Sequence, residues 1–161
     1  ASDAKLDYFK ESIWPTLRDS SRPCQLIYCP SYFDYVRVRN FLRAQSASLL
    51  CMCEYTDRTD AARARSYFSA GRRRILLTTE RSQFYHRGRI RGARNALFWG
   101  VPQHAHFYVE VCNLLEEGES GGDGVVTTLL GREDALALAR LVGSERARIM
   151  LAGKTTTFVM Q

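Results

Sequence analysis

The chain lacks the features that mark membrane, secreted and zinc-binding proteins. No apolar run in its 161 residues approaches the ~20 residues of a membrane-spanning helix, and the first residues show no signal-peptide pattern. The five cysteines include no CxxC pair, which argues against a zinc site and favours small buried thiols in a reducing compartment. We therefore expect no membrane association, no metal and no cofactor.

Acidic residues are scarce in one stretch of the chain. Eleven arginines from Arg58 to Arg94 face only Asp60 and Glu80 as acids, and the chain as a whole has a net charge of +6. Arginine forms planar, bidentate contacts with phosphate more readily than lysine does. This segment therefore predicts a nucleic acid or nucleoprotein partner, and a solvated basic face without such a partner is the alternative.

What the chain does have is a regular alternation of short apolar runs and helical patterns. Strands are predicted over 24–29, 48–53, 74–78, 95–99, 125–130 and 155–160. Helices are predicted over 5–17, 31–45, 59–70, 104–117 and 133–151, the first of them broken near Pro15. Strands that alternate with helices imply right-handed crossovers and a largely parallel sheet. We predict one α/β domain over residues 1–161 and, since Ala1 is not a methionine, a fragment of a longer protein.

The second predicted helix has a recognisable start. Ser31 follows Pro30 and precedes Asp34 by three residues. This is a variant of the capping box, in which the serine oxygen accepts from N–H groups of the first turn. The apolar residues expected on the buried side of this helix are Phe33, Val36, Phe41 and Leu42.

Several short motifs occur along the chain in a characteristic order. They are Leu26–Ser31, Tyr67–Gly71, Leu76–Glu80, Arg87–Gly88 and Val101–Pro102. In this order they resemble the second RecA-like lobe of DEAD-box-type helicases. A narrower resemblance, to the digestive-organ-expansion-factor family, rests on Pro30–Arg37, Cys53–Thr56 and His106–Tyr108.

That family consists of nucleolar, helicase-like proteins of the small-subunit processome. The resemblance extends from about Tyr8 to Phe158. It implies a RecA-like fold, a role in ribosome biogenesis and rRNA processing, a nucleolar location, and an upstream first RecA-like lobe as a partner.

The chain departs from the ATP-using relatives at the motif after the third strand. In those relatives Arg-Gly is followed by an apolar residue and by an aspartate that touches nucleotide and RNA ribose. Here Arg87-Gly88 is followed by Arg89 and Ile90, so the acidic side chain is missing.

A second departure concerns the two arginines that such relatives carry on the helix after the fourth strand. Those arginines stabilise charge on the transferring phosphoryl group. Counted from Pro102, the equivalent positions hold Glu110-Val111, Leu114 and Glu117, and no arginine occurs from Gly100 to Gly131. Because acid in place of base repels a triphosphate, we predict that this lobe is not an enzyme.

Two segments imitate catalytic motifs. His86–Arg89 resembles the arginine-finger motif but precedes the fourth strand instead of following it. Gly153–Thr155 resembles the end of a phosphate-binding loop, yet Arg148 stands where that loop needs glycine. His104 and His106 are not expected to share one helix face, and neither they nor His86 have ligand companions at metal-binding spacing. We predict no catalytic and no metal-binding residue.

Two loops form the candidate RNA-binding site, because loops at the ends of parallel strands bind ligands in open α/β sheets. One is Pro30–Tyr35 with the arginines behind it, and the other is Arg81–Arg94. Aromatic and guanidinium planes stack on bases while the charges hold phosphates. The predicted RNA-binding residues are Ser31, Tyr32, Arg37, Arg81, Phe84, Tyr85, Arg87, Arg89, Arg91 and Arg94.

Alternatives stay open at this point. The rings of Tyr32, Phe33, Phe84 and Tyr85 could pack in the core instead of binding RNA. The favoured function is a non-catalytic ribosome-biogenesis factor that binds pre-ribosomal RNA or small-subunit processome proteins. The second is a docking scaffold without RNA contact, with the acidic loop Glu116–Asp123 as a further handle. The third is an ATPase that awaits a partner lobe.

Overall fold

Five parallel strands form one sheet in the computed structural model, which describes residues 2–19, 24–86, 90–116 and 124–153. The strands are β1 (Gln25–Cys29), β2 (Leu49–Met52), β3 (Ile75–Thr79), β4 (Asn95–Phe98) and β5 (Val126–Thr128). Their order across the sheet is β2-β3-β1-β4-β5, and all four pairings are parallel. The predicted α/β class with a largely parallel sheet is confirmed.

Helices connect these strands. They are α1 (Ser2–Tyr8), α2 (Trp14–Asp19), α3 (Tyr32–Ala44), α4 (Arg58–Ser69), α5 (Glu80–Tyr85), α6 (Ala105–Glu116), α7 (Ala135–Val142) and α8 (Ser144–Leu151). The expected break near Pro15 is wrong. A π-helical turn (Phe9–Ile13) ends just before α2, and the first residues of a helical segment need no N–H donor. None of the described helices is long and apolar enough to cross a membrane.

The sheet separates two hydrophobic cores, and alternate residues of each strand enter opposite ones. Ile27 and Cys29 of β1 pack with residues of α1, α2 and α3. Leu26 and Tyr28 face the other way, toward α4 and α6. Every residue of β1 and of β3 is buried, as expected for central strands of a parallel sheet covered on both faces.

The connection from β3 to β4 crosses the face that carries α4. Ile90 and Ala93 are buried in the core beside Phe68 of α4. Between them Gly92 adopts a φ of +87°, and a Cβ there would come within 3.2 Å of the Cα of Ser69. The crossover is therefore seated directly on the last turn of α4, where only glycine fits without displacing backbone.

The C-terminal helical region differs from the prediction. The single helix expected over 133–151 is divided at Gly143, whose φ of +88° ends α7 and lets α8 turn back against it. Val101, Leu138 and Ala147 form the small core between these helices and the sheet. The strand predicted over 155–160 lies outside the described residues.

A buried ion pair ties the first helix to this C-terminal region. Lys5 Nζ lies 2.7 Å from Asp134 Oδ2, and the backbone N–H of Gly131 donates to the same oxygen at 2.7 Å. A Cβ at Gly100 would lie 2.8 Å from Asp134 Oδ1. Glycine at the end of β4 therefore leaves the space that the aspartate needs.

Candidate nucleic-acid interface

The carboxyl edge of the sheet is the edge at which the parallel strands end. Pro30 and Ser31 follow β1, Glu54 and Tyr55 lie beyond β2, Glu80 follows β3, and 100–104 follow β4. This is the edge at which open α/β sheets bind their ligands. It is where the sequence placed both candidate loops.

An exposed aromatic cluster lies at this edge. Tyr32 and Tyr55 meet edge to face with 5.1 Å between ring centroids, and Tyr32 stacks on Tyr35 at 5.7 Å. Tyr55 is 73% exposed and Phe33 is 65% exposed. The expectation that Phe33 lies on the buried side of α3 is wrong, because Tyr35, Val38 and Leu42 form that side.

The core-packing alternative fails for all four rings to which it was applied. Tyr32, Phe33, Phe84 and Tyr85 are exposed. Their side chains are open to solvent and so remain available for base stacking, although Tyr32 stacks on Tyr35 and Arg37 lies over one face of Phe33.

Ser31 and Arg37 differ in the contacts that their side chains make with the rest of the protein. Ser31 is the residue before α3, but its hydroxyl makes no capping hydrogen bond, so the predicted capping box is not formed. The Arg37 guanidinium pairs with the Asp3 carboxylate and lies over the Phe33 ring. Arg37 therefore links α1 to α3, and any contact with RNA would have to share its guanidinium.

A short helix that the sequence did not predict carries three of the candidate residues. The Thr79 hydroxyl accepts from the Ser82 N–H at 3.1 Å and so caps α5. Arg81, Phe84 and Tyr85 all project from α5 into solvent. The Thr-x-x-Ser start was the available signal, but six residues with two adjacent aromatics and no helical periodicity look like a loop.

Arg87 and Arg89 lie outside the described residues, as does most of the finger-like segment His86–Arg89. Arg91 and Arg94 are described and exposed, but they do not lie at the carboxyl edge. The Arg94 N–H donates to the carbonyl of Cys24, just before β1, at 2.9 Å. The prediction of a single loop at the strand ends is therefore wrong, because the crossover must return to the amino edge to begin parallel β4.

A carboxylate of the chain occupies the start of α6. Glu80, only 6% exposed, accepts the N–H groups of Gln103 and His104 at 3.1 and 3.0 Å. It also contacts His104 Nδ1 at 2.9 Å. The beginning of a helix attracts anions, and here that position is filled from β3.

The positions that would hold arginine fingers are unsuited to phosphate. Glu110 is exposed on α6 and accepts from Gln83 Nε2 at 3.0 Å, whereas Val111 is buried in the core. Burial raises the pKa of Tyr28, and the nearby charges of Glu80 and Glu110 raise it further. Glu117 lies outside the described residues.

Histidines and cysteines give no catalytic arrangement. The rings of His104 and His106 do approach each other, at 5.7 Å between centroids, because His104 precedes α6. Within the described ranges no group of three His, Cys, Asp or Glu side chains is placed to hold a metal. The five cysteines are free, and burial raises the pKa of Cys24, Cys29 and Cys51, which keeps those thiols protonated and unreactive.

Comparison with known proteins identifies the family. Residues 1–160 match the family model described as Utp25, C-terminal domain. The chain belongs to the Utp25 family. The digestive-organ-expansion-factor name remains a resemblance drawn from the motifs.

Curated relatives of this Utp25-family chain come from animals, plants and fungi. The U3 small nucleolar RNA-associated protein 25 homolog of Xenopus tropicalis is 43% identical over 154 residues, which are 94% of this chain and 20% of that protein. Protein NUCLEOLAR FACTOR 1 of Arabidopsis thaliana is 41% identical over 97% of this chain and 20% of its own length. The chain thus spans about a fifth of these relatives.

Solved structures with the same fold are lobes of helicases. The C-terminal domain of the DEAD-box protein Dbp5 has a TM-score of 0.70 and 12% identity, over 86% of this chain and 77% of that one. The E. coli DEAD-box protein SrmB has a TM-score of 0.69 and 14% identity, over 88% and 79%. At such identities the likeness concerns the fold alone, and it confirms the helicase second-lobe fold predicted from the order of the motifs.

Proposed function

We propose that the chain is the second RecA-like lobe of a nucleolar ribosome-biogenesis factor that binds pre-ribosomal RNA without hydrolysing ATP. It acts in rRNA processing with small-subunit processome proteins, and an upstream first lobe packs against it. The names of its relatives, U3 small nucleolar RNA-associated protein 25 homolog and NUCLEOLAR FACTOR 1, support this assignment.

The arrangement at the start of α6 carries the non-catalytic aspect of the proposal. A nucleotide phosphate would meet the Glu80 carboxylate, which already accepts both available N–H groups. The next charged side chain along α6 is Glu110, and no lysine or arginine occurs from Gly100 to Gly131. Because α6 offers no cation at the arginine-finger positions, the charge stabilisation that phosphoryl transfer needs is missing there.

The RNA-binding aspect rests on the basic crossover and its neighbouring aromatic residues. Arg81, Arg91 and Arg94 are exposed along the connection from β3 to β4. Exposed rings stand beside the first of them on α5 and beyond β1 and β2. This combination of guanidinium groups and accessible rings is typical of single-stranded RNA binding.

Charge reversal along the crossover tests the RNA-binding aspect. Arg81, Arg91 and Arg94 are changed together to glutamate. The control is Arg63, Arg140 and Arg146 changed to glutamate, which are equally exposed and alter the net charge by the same amount. Fluorescence anisotropy with a labelled 20-nucleotide single-stranded RNA reports affinity, and circular dichroism reports folding.

We expect the crossover variant to lose at least about tenfold in affinity, while the control loses much less. Equal losses of affinity in the two variants would mean that the crossover contributes only through the overall charge of the protein. Absence of RNA binding by the unaltered chain would refute the proposal. Binding of a fluorescent ATP analogue or ATP hydrolysis would refute its non-catalytic aspect.

A docking scaffold is the second candidate, and the aromatic cluster at the carboxyl edge favours it. Tyr32, Phe33 and Tyr55 expose apolar surface together, and such patches bind proteins as well as bases. Crosslinking of the tagged full-length protein in cells separates the two functions. Crosslinks from residues 81–94 to precursor rRNA support RNA binding, whereas crosslinks to assembly proteins alone support the scaffold.

A further inference from the structure

A cavity lies at the amino edge of the sheet, opposite the edge discussed above. Its volume is about 260 Å³. The end of α2, the turn after α3 and the first residues of β1 and β3 surround it. The lining residues that matter here are Trp14, Arg18, Gln25, Ser46, Ser48 and Arg74.

The wall of this cavity is built by backbone hydrogen bonds between three segments that enter the sheet. The Gln25 N–H donates to the Arg74 carbonyl at 2.7 Å, and the Arg74 N–H donates to Ser48 Oγ at 3.1 Å. The Ile75 N–H donates to the Ser48 carbonyl at 3.0 Å. Because β1, β2 and β3 are locked together at this point, the cavity is preformed.

Trp14 forms one wall of the cavity. Trp14 is 6% exposed, and its indole Nε1 is a buried donor without an acceptor in the portion of the chain that the structure describes. Buried donors are nearly always paired, because leaving one without an acceptor is costly. Nε1 itself has almost no accessible surface, so a bound molecule would contact other atoms of the Trp14 ring and not this donor.

The charge around the cavity selects an anion. The described segments that lead into β1, β2, β3 and β4 carry seven arginines and one acid, Asp19. Asp19 accepts from Arg18 at 2.9 Å and lies in solvent. The seven arginines are Arg18, Arg43, Arg72, Arg73, Arg74, Arg91 and Arg94.

We propose that this cavity binds one nucleotide of a single-stranded RNA, with its phosphate at Arg18 and Arg74 and its base or sugar against the side chain of Trp14. The inference rests on the proposed RNA-binding function and locates a second contact surface for it. A cavity just below the ~300 Å³ lower limit of ligand pockets suits one nucleotide better than a folded partner. The arginines along the rest of this edge would hold the neighbouring phosphates.

The fluorescence of Trp14 provides a direct test. Trp14 and Trp99 are the two tryptophans of the chain, so Trp99→Phe leaves Trp14 as the single reporter. Octauridylate is the probe, and its binding is followed both by anisotropy of a labelled copy and by tryptophan emission. The binding variant is Arg18→Glu with Arg74→Glu, and the control is Arg63→Glu with Arg140→Glu.

We expect octauridylate to change Trp14 emission with the same midpoint as the anisotropy. The binding variant should lose about tenfold in affinity, and its slope of log K against log salt should fall by about one per arginine. The control should change neither quantity by more than about twofold. If the Trp99→Phe protein does not fold, a 4-thiouridine RNA on the unaltered chain replaces it, with crosslinks expected within residues 14–18, 45–48 or 74.

Different failures have different meanings. RNA that binds by anisotropy without altering Trp14 emission, or without crosslinking to the cavity, overturns this inference alone. Equal losses in the binding and control variants also overturn it alone. An unaltered chain that binds no RNA overturns both this inference and the proposed function.

Discussion

The two edges of the sheet differ in the charge they present to solvent. At the carboxyl edge acids stand near the helix starts: Asp57 and Asp60 at α4, and Glu80 against α6. At the amino edge the described segments leading into β1 to β4 carry seven arginines and one acid. The same sheet thus has a mixed, partly acidic carboxyl edge and an amino edge that is strongly basic along β1 to β4.

Helix dipoles explain some of this difference. Helix starts lie at the carboxyl edge and favour acids, while helix ends lie at the amino edge and favour cations, by about 0.3–1 kcal/mol for each charge. The last turns of α3 and α4 contain only one arginine between them, Arg43. The other arginines therefore exceed what the dipoles require, and an external polyanion is the physical reason we propose for them.

The first prediction compares the edges directly in RNA binding. Arg72 and Arg73 at the amino edge are changed to glutamate in one protein, and Arg58 and Arg81 at the carboxyl edge in another. The amino-edge variant should lose about tenfold in affinity for single-stranded RNA and the carboxyl-edge variant about threefold, because nearby acids already weaken the second surface. Anisotropy titrations at fixed salt measure both. A larger loss from the carboxyl-edge variant would reverse the comparison.

The next effect concerns what the acids do at the carboxyl edge. Glu80→Gln should destabilise the fold by about 2 kcal/mol, because hydrogen bonds from two partly buried N–H groups to a charged carboxylate are lost. Glu110→Gln is the control, since its exposed carboxylate makes one side-chain contact, worth at most about 1 kcal/mol. Urea unfolding followed by circular dichroism gives both values. Similar values would mean that Glu80 does not organise the start of α6.

A smaller effect on stability is expected from the residues that end α3 and α4 at the amino edge. After α3 and after α4 the chain makes the same terminal hydrogen bond. The Ala47 N–H donates to the Leu42 carbonyl after α3, and the Arg72 N–H donates to the Tyr67 carbonyl after α4. The left-handed position is a serine after α3, Ser46 with φ +54°, and a glycine after α4.

Ser46→Gly should therefore stabilise the chain by about 1 kcal/mol, because it removes the steric cost of a side chain in this conformation. Gly71→Ala should destabilise it by a similar amount. Thermal and urea unfolding measure both changes. A serine variant that gains nothing would show that the hydroxyl compensates for the strain.

The smallest effect compares two helix starts at the carboxyl edge. The Asp57 side chain accepts the Asp60 N–H at 2.8 Å, whereas Ser31 makes no such bond. Asp57→Ala should lower the urea midpoint and Ser31→Ala should leave it unchanged.

The pH dependence of the Asp57 contribution has a definite sign. The backbone N–H of Asp60 lowers the pKa of Asp57. Its stabilisation is therefore complete above the unfolded pKa, near pH 4, and is lost as the pH falls through the lower folded value. A difference between the unaltered chain and Asp57→Ala that does not shrink below pH 4 would contradict this.

Much of the fold could be predicted because buried parallel strands are short apolar runs. The strands were located to within two residues at either end, since Leu26, Leu76 and their neighbours leave no other assignment. α5 was missed because six residues give too little periodicity, and its capping by Thr79 is a weak signal. The division at Gly143 was missed because an isolated glycine is tolerated within helices.

The residues of the candidate site remain a prediction, and the sequence did not indicate where the fold places them. The sequence identified Arg81, Arg91 and Arg94 as one group, yet it does not reveal where along the crossover the chain returns to the other edge. The point at which the chain returns depends on the strand order and on the burial of Ile90 and Ala93 in the core. Trp14 and Arg18 gave no signal, because the residues that line their cavity come from several segments spread over about 60 residues of the chain.

The fit of Gly92 against Ser69 has a mechanical consequence. It brings the crossover close to the end of α4, and Arg94 directly precedes β4, so a pull applied at Arg94 reaches β4 at its amino end and along its axis. A strand pulled along its axis breaks all its hydrogen bonds to the neighbouring strands at the same time. A strand pulled perpendicular to its axis breaks them one after another. A load applied at the basic edge would therefore act on β4 along the strand, the direction in which its hydrogen bonds resist together.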